Sequence, residues 1–396
     1  MIGSSVPPPV FAGVSSLDYE PPWMTAETRI FRQTVRRFIE HEFAPLRDKW
    51  EGQGHPDIEA WRAAAKVGLL LPDIPERYGG GGGTFAHEAV VIEELARSRI
   101  HMGLGVQSIV AHYILSYGTE EQKLRWLPRM ARGERIASIA MTEPEAGSDL
   151  QSIRTLARRQ GDHYLISGSK TFITNGASAN LVCLVVRTDP AGVGPRALSI
   201  VVVETEGLAG YRVGRPLEKI GRHAQDTCEL FFDDVRVPVA NLLGSGEGRG
   251  LFQMMDQLRY ERLSIALGSL RTAELAIELT TRYVKERKAF GKALLQLQNT
   301  RFKLAECKTE ARIGRVFVDD CIQSFVEGRL DPVTAAMAKY WITERQFRIL
   351  DECVQLHGGY GYMSEFAVAR MWADSRPERI YAGSNEIMKE LIGSSL

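Results

Sequence analysis

The middle of the chain limits the possible folds most, because its sequence pattern differs from the pattern on either side. Between residues 137 and 250, short runs rich in Val, Ile, Phe and Thr are separated by Gly, Asn, Asp and Pro. This pattern predicts an antiparallel β domain, a barrel or a sandwich. Residues 25–136 and 251–396 carry apolar residues at helical spacing instead. We therefore expect an α+β multidomain protein with an N-terminal α-helical domain, a middle β domain and a C-terminal four-helix bundle.

The composition excludes several classes of protein. The chain has 396 residues, which is long for one core, so two or three domains are expected. Its 49 Lys and Arg residues balance 49 Asp and Glu residues, which gives no general attraction to nucleic acid or to an acidic membrane. No apolar run of about eighteen residues is present, so no membrane span is expected. The five cysteines form no CxxC pair, which favours reduced thiols in a cytosolic setting over a disulfide framework or a zinc site.

Two segments near the N-terminus are expected to be flexible. Residues 1–24 contain three consecutive prolines, and the first twenty residues contain no Lys or Arg, so they predict a disordered arm and not a signal or transit peptide. The stretch from Tyr78 to Gly83 contains five consecutive glycines. No Gly-Lys-Ser/Thr follows it, which favours a flexible connection over a phosphate-binding loop.

Two strand-and-turn motifs in the β domain indicate a site for a flat polar heterocycle. In Ile139–Leu150, a strand runs into a turn forced by Pro144 and Gly147, and the hydroxyls of Thr142 and Ser148 are left at its edge. Alone, this would be an ordinary turn that ends a strand. A second strand that ends in an Asn-Gly turn follows at 170–176, and the pair offers hydroxyls and amides to ring oxygens and nitrogens.

Together with Glu286–Lys292, Gln355–Gly359 and Ile380–Ile387, these motifs resemble the acyl-CoA dehydrogenase family over roughly residues 25–396. The resemblance implies the family's three-domain fold, with FAD held between the β domain and the bundle. It also implies that part of the FAD contact comes from a neighbouring subunit. A homotetramer, built as a dimer of dimers, is therefore expected.

The resemblance implies FAD contacts in five segments. They are Ile139, Met141, Thr142, Gly147 and Ser148; Phe172, Ile173 and Thr174; Arg287, Phe290 and Gln298; Gln355, Leu356, His357, Gly358 and Gly359; and Ser384, Asn385 and Glu386. Phe172 would cover the isoalloxazine face, although an ordinary core Phe is the alternative. Arg287 suits a pyrophosphate, because its guanidinium donates two parallel hydrogen bonds.

The catalytic base is expected on the long helix. Many family members place a Glu directly after the Tyr of the last motif, but here Ala382 occupies that position. Glu261 lies on a helical face with Ile265, Gly268 and Thr272, where burial would raise its pKa. A surface Glu paired with Arg262 is the alternative. In the long-chain and isovaleryl branches of the family the base lies at the position that Glu261 matches, so the resemblance assigns it this role.

The resemblance also implies the substrate and the reaction. The backbone N–H of Ala382 would bind the thioester oxygen. The expected substrate contacts are Ser148, Phe252, Arg259, Tyr260, Arg262, Tyr381, Ala382 and Gly383. The motifs are most similar to the long-chain branch, which implies that a medium- or long-chain acyl-CoA gains a trans-2,3 double bond in fatty-acid β-oxidation. The β-hydride would pass to flavin N5 and the electrons to electron-transfer flavoprotein, in the cytoplasm of a bacterium.

Three expectations remain open at this point. Residues 103–112 are expected to form the floor of the acyl pocket, with Gly103 and Gly105 leaving space for the chain. The first alternative function is a flavin-dependent acyl-CoA oxidase. The second is a non-catalytic subunit that binds flavin or CoA within a hetero-oligomer.

Overall fold

The computed structural model describes residues 19–189, 192 and 194–396. Most of the expected N-terminal arm lies outside these residues. Its last residues are ordered by packing, since Trp23 is 2% exposed and its Nε1 donates to Asp319 at 2.9 Å. The helical domain therefore starts before residue 25.

Six α-helices form the described part of the N-terminal domain. They are α1 (Ala26–Phe38), α2 (Arg47–Gln53), α3 (Ile58–Lys66), α4 (Phe85–Ser98), α5 (Leu104–Tyr117) and α6 (Glu120–Ala131). Thr25, Thr84 and Thr119 accept backbone N–H groups and begin α1, α4 and α6. On α1, Val35 is buried, whereas Ile30 is 67% exposed and does not belong to the apolar face.

The glycine run is packed, which makes the expectation of a flexible connection wrong. The N–H groups of Gly81, Gly82 and Gly83 donate to backbone carbonyls of residues 71–74. A Cβ on Gly80 would lie 2.2 Å from the carbonyl oxygen of Ile74. Glycine is needed here because the backbone approaches a neighbouring turn too closely for any side chain.

The middle domain contains one seven-stranded sheet. Its strands are β1 (Ala137–Ala140), β2 (Leu156–Gln160), β3 (His163–Thr174), β4 (Leu181–Arg187), β5 (Leu198–Glu204), β6 (Tyr211–Pro216) and β7 (Thr227–Pro238). The order is β1-β4-β2-β3-β7-β6, and β5 pairs with β4. The expected β domain is confirmed, but the sheet is mixed, because β1 and β2 both pair with β4 in parallel.

The sheet joins the helices through β4, which is buried on both faces. Leu181, Cys183 and Val185 belong to the same core as the helical domains, while Val182 and Leu184 belong to the separate core of the β domain. This alternation follows from the two-residue period of a strand. It explains why the sequence of β4 is an unbroken apolar run.

The C-terminal domain consists of three long helices and two short ones in place of four long ones. The long helices are α7 (Gly250–Glu286), α8 (Gln298–Val326) and α9 (Pro332–His357). A two-stranded ribbon, β8 (Lys288–Ala289) and β9 (Lys292–Ala293), precedes α8, and α10 (Ala367–Ser375) and α11 (Asn385–Gly393) follow α9. The three long helices meet at Gly314, where a Cβ would lie 2.8 Å from Ile342 and 3.2 Å from Leu270. Within the described residues, no helix is long and apolar enough to cross a membrane.

A buried ion pair fixes the turn after β1 to strand β3. Lys170 Nζ donates to Glu143 Oε1 at 2.8 Å and to the carbonyl of Met141 at 2.9 Å. Glu143 also accepts the N–H and the hydroxyl of Thr155. Burial lowers the pKa of Lys170 to about 8. The two strand-and-turn motifs are thus held together by a fully hydrogen-bonded pair of charges.

We expect Lys170→Met to lower the free energy of unfolding by about 3–5 kcal/mol, because it leaves Glu143 buried without its counter-charge. The measurement is urea denaturation at pH 7. Lys303→Met is the matched control: it removes an exposed Lys that pairs with Glu352 at 3.0 Å, so it should cost less than about 1 kcal/mol. Equal losses in the two variants would contradict a special role for the buried pair.

Candidate active site

Glu261 is a buried carboxylate on α7 and is only 6% exposed. The hydroxyl of Tyr113, on α5, donates to its Oε1 at 3.2 Å. Burial raises the pKa of Glu261 to about 7, an effect that the hydrogen bond from Tyr113 and the charge of Arg262 partly oppose. Within the described residues Glu261 forms no ion pair, so the alternative of a surface Glu paired with Arg262 is wrong. A carboxyl group with this pKa can accept a proton near neutrality.

The helical pattern correctly predicted that Glu261 is buried, but the single apolar face on which this prediction rested is not what buries it. Ile265, Gly268 and Thr272, expected to share its apolar face, are half-buried. Arg262, expected on a polar face, is only 4% exposed. The middle of α7 packs against α4, α5, α8 and α9, so it is enclosed from several directions and a single face does not describe it.

The loop that contains Ala382 has a constrained backbone. Ala382 has φ +53° and Gly383 has φ +87°, and the left-handed region is unfavourable for a residue with a Cβ. Lys339 of α9, which is fully buried, donates to the carbonyl of Gly383 at 2.7 Å and to Asn385 Oδ1 at 3.0 Å. These bonds stabilise the strained turn from the interior side.

Arg262 connects this loop to Glu261. A Cβ on Gly383 would lie 3.8 Å from Arg262 Nη2, so the guanidinium borders the loop. Burial lowers the pKa of Arg262, and the neighbouring Glu261 partly opposes this. Its Nε has no hydrogen-bond partner among the described residues. The buried carboxylate of Glu261, the buried guanidinium of Arg262 and the strained loop at Ala382 therefore lie together.

The two strand-and-turn motifs form a common edge. The N–H of Thr171 donates to the carbonyl of Thr142 at 2.9 Å. Between Lys170 and Ile173 the register with β7 shifts, and within this bulge Phe172 has φ +59° and is 67% exposed. Ile173 is buried. Phe172 is therefore not an ordinary core residue, and a bulge that turns a side chain outward is typical of a binding site.

Other residues of this edge differ in exposure. Ile139, Met141, Thr142 and Thr174 are half-buried, whereas Gly147 and Ser148 are exposed. The first group lines the strand ends, and the second lies on the turn.

A second region forms a pocket of about 510 Å³ where α7 and α9 end. Its lining includes Arg287, Gln355, Leu356, His357, Gly358 and Gly359. His357 stacks on Tyr283 with ring centroids 4.2 Å apart, and its Nδ1 donates to the carbonyl of Cys353. No atom lies within 4 Å of the position that a Cβ would take on Gly358 or Gly359, so this backbone is open to a ligand.

Two expected residues lie outside the lining of this pocket. Phe290 is 92% exposed on the β8–β9 turn, and Gln298 is the exposed first residue of α8. The pocket lining includes no residue of the Thr142 and Phe172 edge. The edge that contains Thr142 and Phe172 and the pocket that contains Arg287 are therefore two separate surfaces of one chain.

In the last motif, at residues 380–387, some side chains make structural contacts and others are exposed to solvent. Ser384 begins α11 by accepting the N–H of Ile387, and Asn385 is 1% exposed, with its amide bonded to Lys339 and Thr343. Glu386 is exposed. The side chain of Asn385 is thus engaged inside the protein.

Some of the expected substrate contacts are exposed to solvent and others are buried. Phe252 is 49% exposed, and Tyr381 is 38% exposed with the Arg222 guanidinium 5.9 Å from its ring. Arg259 pairs with Asp256 at 2.6 Å. Tyr260 is 3% exposed and stacks against His112, which places its ring in the interior.

Gly103 does not leave space for an acyl chain, which corrects that expectation. A Cβ at this position would lie 1.9 Å from Oδ1 of Asn175, whose amide donates to the Gly103 carbonyl. Gly103 permits a close contact between α5 and the β domain. At Gly105, by contrast, a Cβ would have no atom within 4 Å, so only this second glycine is open.

Sequence reasoning missed Tyr113 and Lys339. Tyr113 lies in an apolar helix, where nothing distinguishes it from a core aromatic. Lys339 follows Ala335, Ala336 and Ala338, but a Lys in a helix is almost never fully buried, so the sequence favoured an exposed side chain.

Comparison with known proteins covers nearly the whole chain. Residues 25–134, 138–235 and 248–396 match the N-terminal, middle and C-terminal domains of acyl-CoA dehydrogenase. The chain belongs to the acyl-CoA dehydrogenase family. It is 46% identical to the mitochondrial long-chain specific acyl-CoA dehydrogenase of Mus musculus over 375 residues, which are 94% of this chain and 87% of that protein.

Solved structures of acyl-CoA dehydrogenases agree with this assignment. The acyl-CoA dehydrogenase from Geobacillus kaustophilus gives a TM-score of 0.92 at 45% identity, covering 95% of this chain and 99% of that chain. A glutaryl-CoA dehydrogenase from Mycobacterium smegmatis in complex with FADH2 gives 0.87 at 27% identity, covering 94% and 95%. Acyl-CoA dehydrogenases are FAD-dependent oxidoreductases that act on CH–CH donors. The expected family and three-domain fold are confirmed.

The buried Glu261 of this acyl-CoA dehydrogenase should reduce stability in a pH-dependent way. Its folded pKa lies above the unfolded value, so its ionisation opposes folding as pH rises from about 4.5 to about 7. We expect Glu261→Gln to match the wild type at about pH 4 and to be more stable by up to about 3 kcal/mol at pH 8. The measurement is urea denaturation across this range. Glu278→Gln, an exposed position on the same helix, should show no such trend, and a flat Glu261→Gln difference would contradict the assignment.

Proposed function

We propose that this protein oxidises a medium- or long-chain acyl-CoA to the trans-2,3-enoyl-CoA, with Glu261 as the base that removes the α-proton. The observation that carries the proposal is the buried, hydrogen-bonded Glu261 combined with Ala at position 382. The base is present at the position used by the long-chain branch and absent from the commoner one. A non-catalytic subunit would have no need to bury an unpaired carboxylate at such a cost.

In the proposed proton-transfer step, a carboxylate accepts the proton and a backbone N–H stabilises the negative charge that develops. Oε1 of Glu261 is held by Tyr113, so Oε2 takes the α-proton of the thioester, and the electron pair of the C–H bond moves toward the carbonyl. The N–H of Ala382 binds the carbonyl oxygen as negative charge develops there. Lys339 keeps that N–H in place through the Gly383 carbonyl, and the charge of Arg262 borders the same loop.

The residues present fit FAD. Phe172 is turned outward at positive φ beside the Thr142 edge, and an apolar ring in this position can cover a flavin. Arg287 and the open backbone at Gly358 and Gly359 suit a dinucleotide phosphate and ribose. When bound, FAD supplies the acceptor for the β-hydrogen, which leaves with its electron pair.

The separation of the two surfaces supports an oligomer. The pocket that contains Arg287 is lined by residues 283–294 and 355–363, and none of its lining comes from the edge that contains Phe172. A second copy that presents its pocket to the edge of the first would complete the cofactor site. We therefore propose that the active unit is at least a dimer, within the tetramer that the family resemblance implies.

We propose electron-transfer flavoprotein as the electron acceptor, as the family resemblance implies. The alternative is oxygen, which would make the protein an acyl-CoA oxidase. Rapid reoxidation of the reduced protein by air would favour that alternative.

Glu261→Gln should abolish the reaction while leaving FAD bound. Gln keeps the size of Glu but cannot accept a proton, and a positioned base contributes about 10²–10⁴-fold to the rate. We expect at least about a 10³-fold slower bleaching of the flavin by acyl-CoA under anaerobic conditions. Glu278→Gln on the exposed side of α7 is the matched control and should behave as wild type.

Adding Ala382→Glu to Glu261→Gln should restore part of the bleaching rate, since it returns a carboxylate to the family's commoner position. Recovery should be incomplete, because the left-handed backbone at residue 382 suits a small side chain. Near-normal bleaching by the single Glu261→Gln variant would place the base elsewhere and overturn the mechanism.

Medium- and long-chain substrates should react faster than butyryl-CoA. Each additional buried methylene contributes about 0.8 kcal/mol, so kcat/KM should rise by up to about fourfold per carbon until the pocket is filled. The measurement is anaerobic flavin bleaching with a series of straight-chain acyl-CoA thioesters. Equal or better rates with butyryl-CoA would refute the chain-length assignment and leave the family unaffected.

A further inference from the structure

The hydroxyl of Tyr113 contacts Glu261, and packing alone does not explain this contact. It lies on α5, 148 residues before Glu261 in sequence, and it is fully buried. An apolar side chain would fill the same space without a hydroxyl that must be hydrogen-bonded. The hydroxyl donates to Oε1 of Glu261, and no other hydrogen bond of this hydroxyl is found among the described residues.

The neighbouring turn of α5 makes a comparable contact with α7. The hydroxyl of Tyr117 donates to Asp256 at 2.5 Å, and it lies 3.4 Å from the carbonyl of Gln253. Two tyrosines, four residues apart, therefore hold α7 at two points. Tyr117 contacts a half-exposed Asp near the start of α7, whereas Tyr113 contacts the buried Glu261 one to two turns further on.

We propose that Tyr113 is a positioning residue for the base: it holds Oε1 of Glu261 and thereby leaves Oε2 directed to the α-hydrogen of the substrate. This role rests on the proposed function of Glu261. A carboxylate held by one oxygen loses the rotation that would otherwise exchange its two oxygens. The proton is then taken up by the same atom in every turnover.

The hydrogen bond also adjusts the strength of the base. Burial and the charge of Glu261 raise the pKa of Tyr113 well above its usual range, so its hydroxyl stays protonated and acts as a donor. A donor to the ionised carboxylate favours ionisation, and therefore opposes the rise in the Glu261 pKa that burial causes.

Three titratable groups lie near Glu261 on the elements packed around it, and two of them, Tyr113 and Arg262, affect its pKa. Tyr113 approaches from α5, Arg262 follows on α7, and Cys183 approaches from β4. Burial and the nearby carboxylate raise the pKa of the Cys183 thiol, which keeps it neutral. Arg262 supplies the positive charge. Tyr113 is thus the neutral donor of the set, and it can be removed without changing any formal charge.

The test is the pH dependence of Tyr113→Phe in the FAD-loaded protein. Loss of a hydrogen bond to a charged group should move the acid limb of kcat/KM upward by about one to two pH units. The rate above this limb should fall by about tenfold or less, since Glu261 remains and only its orientation is lost. Infrared difference spectra between this variant and its Glu261→Gln derivative follow the protonation of Glu261 without turnover, and they should show the same upward shift.

Tyr117→Phe is the matched control, because it removes the same hydroxyl from the same helix one turn away. Its acid limb and infrared titration should stay at the wild-type position. An unmoved limb in Tyr113→Phe, or equal shifts in both variants, would overturn the positioning role.

Fluorotyrosine at position 113 provides a variant that retains the ring and the hydroxyl. A more acidic phenol is a stronger donor, so the acid limb should move to lower pH, opposite to Tyr113→Phe. A shift in the same direction as Tyr113→Phe, or none, would contradict the proposal. The proposed function has its own test. If the flavin of Glu261→Gln is still reduced by acyl-CoA, the proposed function is wrong. If Glu261→Gln is inactive but the acid limb of Tyr113→Phe does not move, only the role of Tyr113 is rejected.

Discussion

The site depends on a carboxylate that is buried without forming an ion pair. Moving a charge out of water costs several kcal/mol unless it is compensated. Glu261 is compensated in part, by one hydrogen bond from Tyr113 and by the nearby charge of Arg262. The remaining cost raises the pKa of Glu261 to about 7, since a carboxylate that is poorly stabilised gains more from accepting a proton. Reactivity and local instability therefore have the same physical origin.

Two other groups of buried charges are compensated by ion pairs, which Glu261 lacks among the described residues. Lys170 and Glu143 form a pair whose remaining acceptors are occupied. Arg315 of α8 donates to Glu93 of α4 and to Glu274 of α7, and so ties the N-terminal and C-terminal helices together. This rigid framework can tolerate strain at Phe172 and Ala382, because neighbouring bonds determine the backbone there.

The sequence predicted long periodic elements well and tertiary contacts poorly. Helix α6 lies within the segment predicted to be helical, and a Thr cap and a clear spacing of apolar residues mark its start. The parallel pairing of β1 with β4 was missed, because strand direction depends on partners distant in sequence. Gly103 was wrongly predicted to leave space for the acyl chain, because a sequence does not distinguish a glycine that permits a close contact from one that leaves a cavity. Glu261 was assigned as the base through the family motif, whereas Tyr113 contacts it across a helix interface, and the spacing of apolar residues within one helix carries no information about such a contact.

With Glu261 as the base that we propose, α7 and the loop at Ala382 would divide two tasks that the commoner arrangement combines in one loop. In this chain the thioester oxygen would be bound by a backbone N–H at residue 382, and the proton would be taken by a side chain of a helix. The loop can therefore keep a left-handed backbone with a small Ala, held by Lys339 through Gly383. The helix can independently set the basicity of Glu261 through Tyr113. Arg262 borders both elements, so its positive charge lies close to the carboxylate of Glu261 and to the loop at Gly383.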